Sequence, residues 1–235
     1  MSTGTIYMIP CPLGADSPLE SLPNHTLEVI RKLDLFVVEN AKTARHFVKA
    51  CEHPKAIREL QFDILDKKTD PLLLPEIMQP CLDGHDLGII SEAGCPGIAD
   101  PGSLLVHFAH VKNVKVVPLI GPSSILQALM ASGFNGQSFA FHGYLPKHDD
   151  ELRKKLKSFE KQITDCRQTQ VFIETPYRTE QLIQKLSSWL GKNFKLCVAA
   201  NINQPNESID TKPIDQWRKK KLMYDKSPAV FLIYS

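Results

Sequence analysis

Long apolar runs are missing from this sequence. No stretch of about 18 consecutive apolar residues occurs, so no membrane-crossing helix and no membrane partner are expected. An excess of one charge is missing as well, because 28 Lys and Arg against 26 Asp and Glu leave a formal net charge of +2. Bulk charge therefore neither demands a nucleic-acid partner nor excludes one; a local patch counts for more than the total. Paired cysteines are absent. The six cysteines (Cys11, Cys51, Cys81, Cys95, Cys166 and Cys197) contain no C-x-x-C spacing, which argues against a zinc site or a redox pair, and no metal is expected. They fit a reducing compartment, with most serving as small buried apolar residues. Neither the basic flank nor the apolar core of a signal peptide is found at the N-terminus, so a cytoplasmic location is expected. There is no G-x-G-x-x-G and no P-loop lysine-serine pair, which disfavours a nicotinamide or nucleoside-triphosphate enzyme.

What is present is a globular composition, 43% hydrophobic and 23% charged over 235 residues. A chain of this size can bury a core without staples, and one large or two medium domains is the expectation. Thr5–Ile9, Leu35–Val38, Leu87–Ile90 and Val114–Leu119 read as short buried strands. Helical spacing follows each of the first three: a helix from His25 capped by Asn24, one over Thr43–Cys51, and one over Pro101–His110 with proline in its first turn. A further helix is expected over Leu73–Leu82 despite Pro75 and Pro80, and Pro54–Asp70 reads as a weak strand plus loop. Strand-helix repetition of this kind predicts an α/β fold with a mostly parallel sheet and helices on both faces. Beyond Ile120-Gly121-Pro122 the pattern changes. Helices are expected over Ser123–Ala131, Asp149–Thr164 and Thr179–Leu190, with strands at Ser138–His142, Gln170–Ile173, Leu196–Ala200 and Ala229–Tyr234. These suggest a separate mixed-sheet α/β domain, giving domains 1–120 and 121–235.

The segment Ser91-Glu92-Ala93-Gly94-Cys95-Pro96-Gly97-Ile98-Ala99-Asp100-Pro101-Gly102 starts where a predicted parallel strand ends, the edge at which open α/β sheets hold ligands. Its glycines allow close backbone approach and its prolines fix the loop's shape. A plain connection needs only about two to six residues, so twelve suggest a function. Pro10-Cys11-Pro12-Leu13-Gly14 also follows a strand. Gly121-Pro122-Ser123-Ser124 opens a helix whose free N–H groups suit a carboxylate. Together these loops begin to describe one crevice.

With Val116–Ser124, Phe141–Pro146, Ile173-Glu174-Thr175-Pro176-Tyr177-Arg178 and the closing Ser227-Pro228-Ala229-Val230, these segments give the chain a recognisable pattern over nearly its whole length. The sequence resembles the tetrapyrrole-methylase superfamily (class III methyltransferases), and within it the bacterial enzymes that 2′-O-methylate a ribose of small-subunit ribosomal RNA. The resemblance implies a two-domain fold holding S-adenosylmethionine between the domains, in a homodimer. Carried over by position, Pro12 and Gly14 would line the adenosine or methionine side. Ser91, Glu92, Ala93, Gly94 and Ile98 would form the central cofactor loop. Ser123 and Ser124 would face the methionine moiety, Glu174 and Thr175 would offer backbone contacts, and Ala199, Pro228 and Ala229 would border the adenine.

The sequence also departs from that family. The family's A-E-D-T-R stretch stands here as Val38-Glu39-Asn40-Ala41-Lys42, its S-D-A-G-T-P as Ser91–Pro96, and its A-R-E as Ala199-Ala200-Asn201. Ala15-Asp16-Ser17-Pro18 replaces N-L-E-D. The RNA enzymes continue into a small C-terminal domain, while this sequence ends at Ser235. The cofactor side is thus better kept than the substrate side. RNA methylation is the first reading, methylation of a small molecule such as a tetrapyrrole the second, and a cofactor-binding protein without catalysis the third.

A ribose hydroxyl gains from a base or from charge that stabilises the developing alkoxide. Glu39 is the candidate base at a strand's C-terminal end, with Lys42 and Arg45 available to polarise the hydroxyl or hold a phosphate. A structural salt bridge is the plain alternative for all three. Arg153-Lys154-Lys155 and Lys157 are interleaved with Asp149, Asp150, Glu151 and Glu160, as on a solvated helix face. Lys219-Lys220-Lys221 is a purer but short basic run, and Lys147-His148 lies in a loop that could touch a polyanion. His107 and His142 read as packing or surface histidines.

Overall fold

The structure, a computed structural model, describes residues 3–14, 19–224 and 226–235. It divides into two compact units, one up to Ser123 and one from Ser124. The replaced loop Ala15–Pro18 lies outside the described residues.

The first unit runs β1 (Thr5–Ile9), α1 (Asn24–Ile30), β2 (Leu35–Val38), α2 (Ala41–Ala50), β3 (Gln61–Ile64), α3 (Leu74–Leu82), β4 (Leu87–Ile90), α4 (Gly102–Val111) and β5 (Lys115–Pro118). Its strands form one parallel sheet in the order β3-β2-β4-β1-β5. Successive side chains of a strand point to opposite faces, and both faces here are apolar. Ile6, Val37 and Ile89 join Met78 and Leu105 in one cluster, whereas Ile9, Phe36, Val38 and Ile90 join Ile30 and Val48 in another. That two-sided burial is why these strands are short continuous apolar runs.

Register then fixes where the loops emerge. Ile90 pairs with both Ile9 and Val38, and Met8 pairs with Pro118. The loops after β1, β2, β4 and β5 therefore leave from one edge of the sheet.

Two helix starts differ from expectation. Pro23, extended at φ −62° and ψ 149°, takes the N-cap of α1 and offers no capping side chain, so Asn24 is the first helical residue rather than the cap. Asn40 caps α2 instead: its Oδ1 accepts the Lys42 N–H at 2.9 Å, and the helix starts at Ala41. The weak Pro54–Asp70 stretch contains the edge strand β3. Phe62 anchors it by stacking on Phe36, centroids 5.3 Å apart, while Gln61 and Ile64 are exposed.

The second unit comprises α5 (Ser124–Ser132), β6 (Phe139–Tyr144), α6 (Asp149–Cys166), β7 (Thr169–Glu174), α7 (Thr179–Trp189), β8 (Lys195–Ala200), β9 (Ser208–Pro213), α8 (Ile214–Trp217) and β10 (Ala229–Tyr234). Its sheet runs β6-β7-β10-β8-β9 and is mixed, with β6 and β7 parallel and the other pairs antiparallel. The charged helix α6 buries a stripe of Leu152, Leu156, Phe159 and Ile163 and turns its charges outward. Strand β9 has no counterpart in the sequence reading. It is an edge strand with Ile209 as its one aliphatic side chain before the closing proline, too little apolar pattern to register.

Phe172 and Phe231 stack at the centre of this core, 5.5 Å apart and within 2° of parallel, both fully buried. Truncating Phe231 to alanine is expected to cost about 3–5 kcal/mol. Urea denaturation of the intact chain followed by circular dichroism checks this; an unmoved transition would contradict the packing described.

Candidate functional site

Three loops at the sheet edge of the first unit are tied together by their own backbones. Cys11 and Gly94 exchange hydrogen bonds in both directions, Cys11 N–H to the Gly94 carbonyl at 2.9 Å and the reverse at 3.0 Å. The Cys95 thiol donates to the Pro122 carbonyl at 3.4 Å, and burial pushes that thiol's pKa up, which keeps the proton in place. Ser91, itself buried, folds its hydroxyl back onto the Gly94 carbonyl at 3.0 Å. Gly94 sits at φ +70°, where an added Cβ would lie 3.2 Å from Leu13 Cδ2. Gly121 is forced for another reason: a Cβ there would stand 2.4 Å from Pro10. Hydrogen bonds and close packing thus hold these loops side by side in the first unit.

Beside them is a hollow of about 480 Å³. Pro12, Gly14, Ser91 and Glu92 line it from the loops, and Thr43 and Phe47 from α2. The Thr43 hydroxyl donates to Glu92 Oε1 at 2.6 Å, fastening the glycine-rich loop to α2. Ala93 and Ile98 stand exposed on that loop, and Ser123 is half-buried at the end of the unit.

Glu39, half-buried just past β2, lines a second and much smaller cavity of about 10 Å³ together with Asp100, Ile90 and Gly102. Burial first, and the Asp100 carboxylate second, push the Glu39 pKa above its ordinary value. The Glu92 backbone N–H and Lys67 partly offset this. Asp100 is pushed up too, by burial, against the hydrogen bonds it accepts from Gly97 and Gly102. Among the described residues no ion pair engages Glu39, Lys42 or Arg45, so the plain salt-bridge reading lacks its partners. Lys42 is exposed in the first turn of α2, and Arg45 lies over the Phe62 ring at 5.4 Å. Asp100, Thr43 and Cys11 were not singled out from the sequence. Only the proline- and glycine-rich context of Asp100 hinted at a turn.

The second unit gathers its own carried-over positions. Ala229, at the start of β10, is in register with Glu174 at the end of β7 and with Ala200 at the end of β8, while Val230 faces Ala199. Pro228 accepts the Asn201 N–H at 3.0 Å. The Glu174 side chain is occupied within its own turn, accepting the Thr175 N–H at 2.7 Å and pairing with Arg178 at 3.1 Å. Ser124 is the first residue of α5.

The remaining expectations divide. Arg153 of α6 stacks on Trp189 of α7 at 4.0 Å and Lys155 lies over Phe159 of its own helix at 5.1 Å, so these two cations of the run are engaged by rings of the second unit. Lys220 of the purer trio is tied to Asp210, as is Lys212, and Tyr224 donates to the same carboxylate at 2.9 Å. Burial opposes ionisation of Asp210, but these hydrogen bonds outweigh it and hold its pKa well below the usual carboxylate range. His142 packs on Phe159 at 4.5 Å and bonds Gln170 at 2.7 Å, and His107 is exposed. Of the cysteines, Cys11, Cys51, Cys81 and Cys197 are buried, Cys95 is half-buried and Cys166 exposed. Among the described residues no group of three or more His, Cys, Asp or Glu is arranged to hold a metal ion, and no helix is long and apolar enough to cross a membrane.

A ribosomal RNA small subunit methyltransferase I from Vibrio cholerae is 30% identical over 97% of this chain and 76% of its own length. The chain belongs to that methyltransferase family. A relative of the same name from Escherichia coli O157:H7 is 26% identical, covering 99% of this chain and 78% of its own. No protein-family model matches the sequence. Among solved structures, diphthine synthase superposes with a TM-score of 0.63 at 14% identity, covering 99% of this chain and 90% of that one. The methyltransferase CobJ gives 0.61 at 14% identity over the whole of both chains. These likenesses show the fold, an α/β architecture of the tetrapyrrole-methylase kind. The protein is accordingly a methyltransferase.

Proposed function

We propose that this enzyme transfers a methyl group from S-adenosylmethionine to RNA, at a ribose 2′-hydroxyl of small-subunit ribosomal RNA. One observation carries the reading: the carboxylate of Glu39 stands beside the glycine-rich Ser91–Gly102 loop, in a chain whose relatives are named for ribosomal RNA methylation.

The residues present suit the donor. Its sulfonium is a cation, and the exposed Glu92 carboxylate lines the hollow beside the loop that would hold it. Gly94 has both backbone groups bonded to Cys11 and little room for a side chain beside Leu13, which fixes the path of the loop along the hollow. Pro12, Gly14, Ser91, Glu92, Ala93, Gly94, Ile98 and Ser123 are the proposed donor contacts of the first unit. Ser124, Glu174, Thr175, Ala199, Pro228 and Ala229 are those of the second.

When bound, S-adenosylmethionine supplies an activated methyl group for in-line displacement, a reaction in which positioning provides much of the rate. The chain's own part is to orient the acceptor and take its proton. Glu39 is the proposed base, receiving the hydroxyl proton on its carboxylate, while Lys42 is placed to stabilise the developing oxyanion. The resemblance further implies a cytoplasmic homodimer.

Incubating the protein with methyl-labelled S-adenosylmethionine and small ribosomal subunits, total RNA or a porphyrinogen tests the acceptor. Label in RNA supports the reading; label only in the porphyrinogen replaces it with a small-molecule acceptor. Donor binding by calorimetry without labelling of any acceptor would leave a binding protein in its place.

A further inference from the structure

Asp100 uses its two carboxylate oxygens differently. Oδ1 accepts the backbone N–H groups of Gly97 and Gly102, each at 2.8 Å, closing the last turn of the glycine-rich loop onto the start of α4. That turn is strained at Ala99, which lies at φ +64°, a region that L-residues avoid, while Gly97 takes φ +80° freely. Oδ2 is buried and has no hydrogen-bond partner among the described residues, an expensive condition for an ionised oxygen. Asp100 and Glu39 both line the cavity of about 10 Å³, the size of a single water. The other groups acting on Glu39 are the carboxylate and backbone N–H of Glu92 and the ammonium of Lys67. Two carboxylates beside one cavity, one of them with an orphaned oxygen, cannot both ionise without repulsion, and a single proton relieves both problems.

We propose that Glu39 and Asp100 share one proton across this cavity, which makes Asp100 the positioning residue that both clamps the Gly97–Gly102 turn and orients the Glu39 carboxylate. In this arrangement the proton lies between Asp100 Oδ2 and the Glu39 carboxylate, and Glu39 becomes a free base when the pair gives that proton up. Oδ1 meanwhile keeps its two backbone partners. The inference rests on the reading of Glu39 as base and of the loop as donor site.

The test combines titration, binding and turnover. In protein carrying ¹³C-labelled Asp and Glu carboxyl groups, Glu39 and Asp100 should titrate together in two steps. Asp100→Asn should collapse Glu39 to one step at lower pH, because a neutral amide no longer opposes its ionisation. Glu39→Gln should do the same to Asp100. Asp100→Asn retains an acceptor for Gly97 and Gly102, so donor affinity by calorimetry should stay within about threefold, whereas Asp100→Ala should weaken it about tenfold or more. In Asp100→Asn the acid limb of kcat should also move to lower pH. A Glu39 titration curve identical in wild type and Asp100→Asn would overturn the shared proton. Undiminished donor affinity in Asp100→Ala would overturn the clamp. If the titrations couple as described yet Glu39→Gln turns over normally, the pair stands and the assignment of the base falls.

Discussion

Replacing Gly94 with valine is expected to weaken S-adenosylmethionine binding by roughly tenfold or more while leaving the fold intact. The residue holds φ +70°, and its N–H and carbonyl both bond Cys11. A left-handed backbone costs an L-residue roughly 1–2 kcal/mol, more when it is β-branched. The new Cβ would also meet Leu13 Cδ2 at 3.2 Å. The free protein can release this strain by letting the loop leave its position, because the strands on either side are anchored by their own ladders. Donor binding must then restore the loop against the strain, and affinity falls by that amount. Calorimetry with S-adenosylmethionine measures the loss, and a cooperative thermal melt by circular dichroism confirms that the sheet is intact. Wild-type affinity in a folded Gly94→Val protein would remove the Ser91–Gly102 loop from the donor site.

Substituting Glu39 with glutamine should act on the other side of the reaction. Loss of a general base lowers kcat by roughly 10²–10⁴-fold, and donor affinity should hardly change because the amide keeps the volume and polarity of the site. The pH dependence gives a sharper signature. Burial, and then the neighbouring Asp100 carboxylate, disfavour the ionised form of Glu39. Its pKa therefore lies above the ordinary glutamate value of about 4.3. A base acts only when ionised, so wild-type kcat should rise with pH through this elevated pKa and be lost as pH falls below it. In Glu39→Gln that limb should disappear from whatever activity remains. Stopped-time assays with labelled donor across pH 4 to 9 (roughly the range spanning a raised carboxylate) resolve both effects. A Glu39→Gln enzyme with wild-type kcat and an unchanged acid limb would exclude Glu39 as the base.

Both predictions depend on how differently the two residues were legible. Gly94 stood out because glycine and proline are concentrated between Ser91 and Gly102, after an apolar strand. The run Leu35–Val38 places Glu39 at a strand end, although its sequence surroundings leave a structural salt bridge open. Asp100 was not legible at all, since an aspartate before proline in a turn is ordinary. Its significance comes from a neighbour brought in by β2 and from an oxygen that finds no partner among the described residues. The basic runs gain partners that sequence does not show. Arg153 and Lys155, read as part of a solvated helix face, lie over ring faces, and Lys220 of the purer basic run is claimed by Asp210. Helix starts were similarly ambiguous, because Asn24 and Asn40 are both good caps and only the backbone conformation decides which one caps.

The Ser91–Gly102 loop follows β4, and β4 is recognisable because a parallel strand buried on both faces must be apolar throughout. The sequence by itself therefore determined the alternation of strand and helix, the mixed sheet that follows, and the edge at which the loops would lie. Tertiary structure alone decided what those loops touch. The Cys11–Gly94 bridge, the Thr43–Glu92 bond and the Glu39–Asp100 cavity each join residues far apart in the chain. Such contacts are set by strand register and loop closure, and neither leaves a periodic trace in composition or spacing.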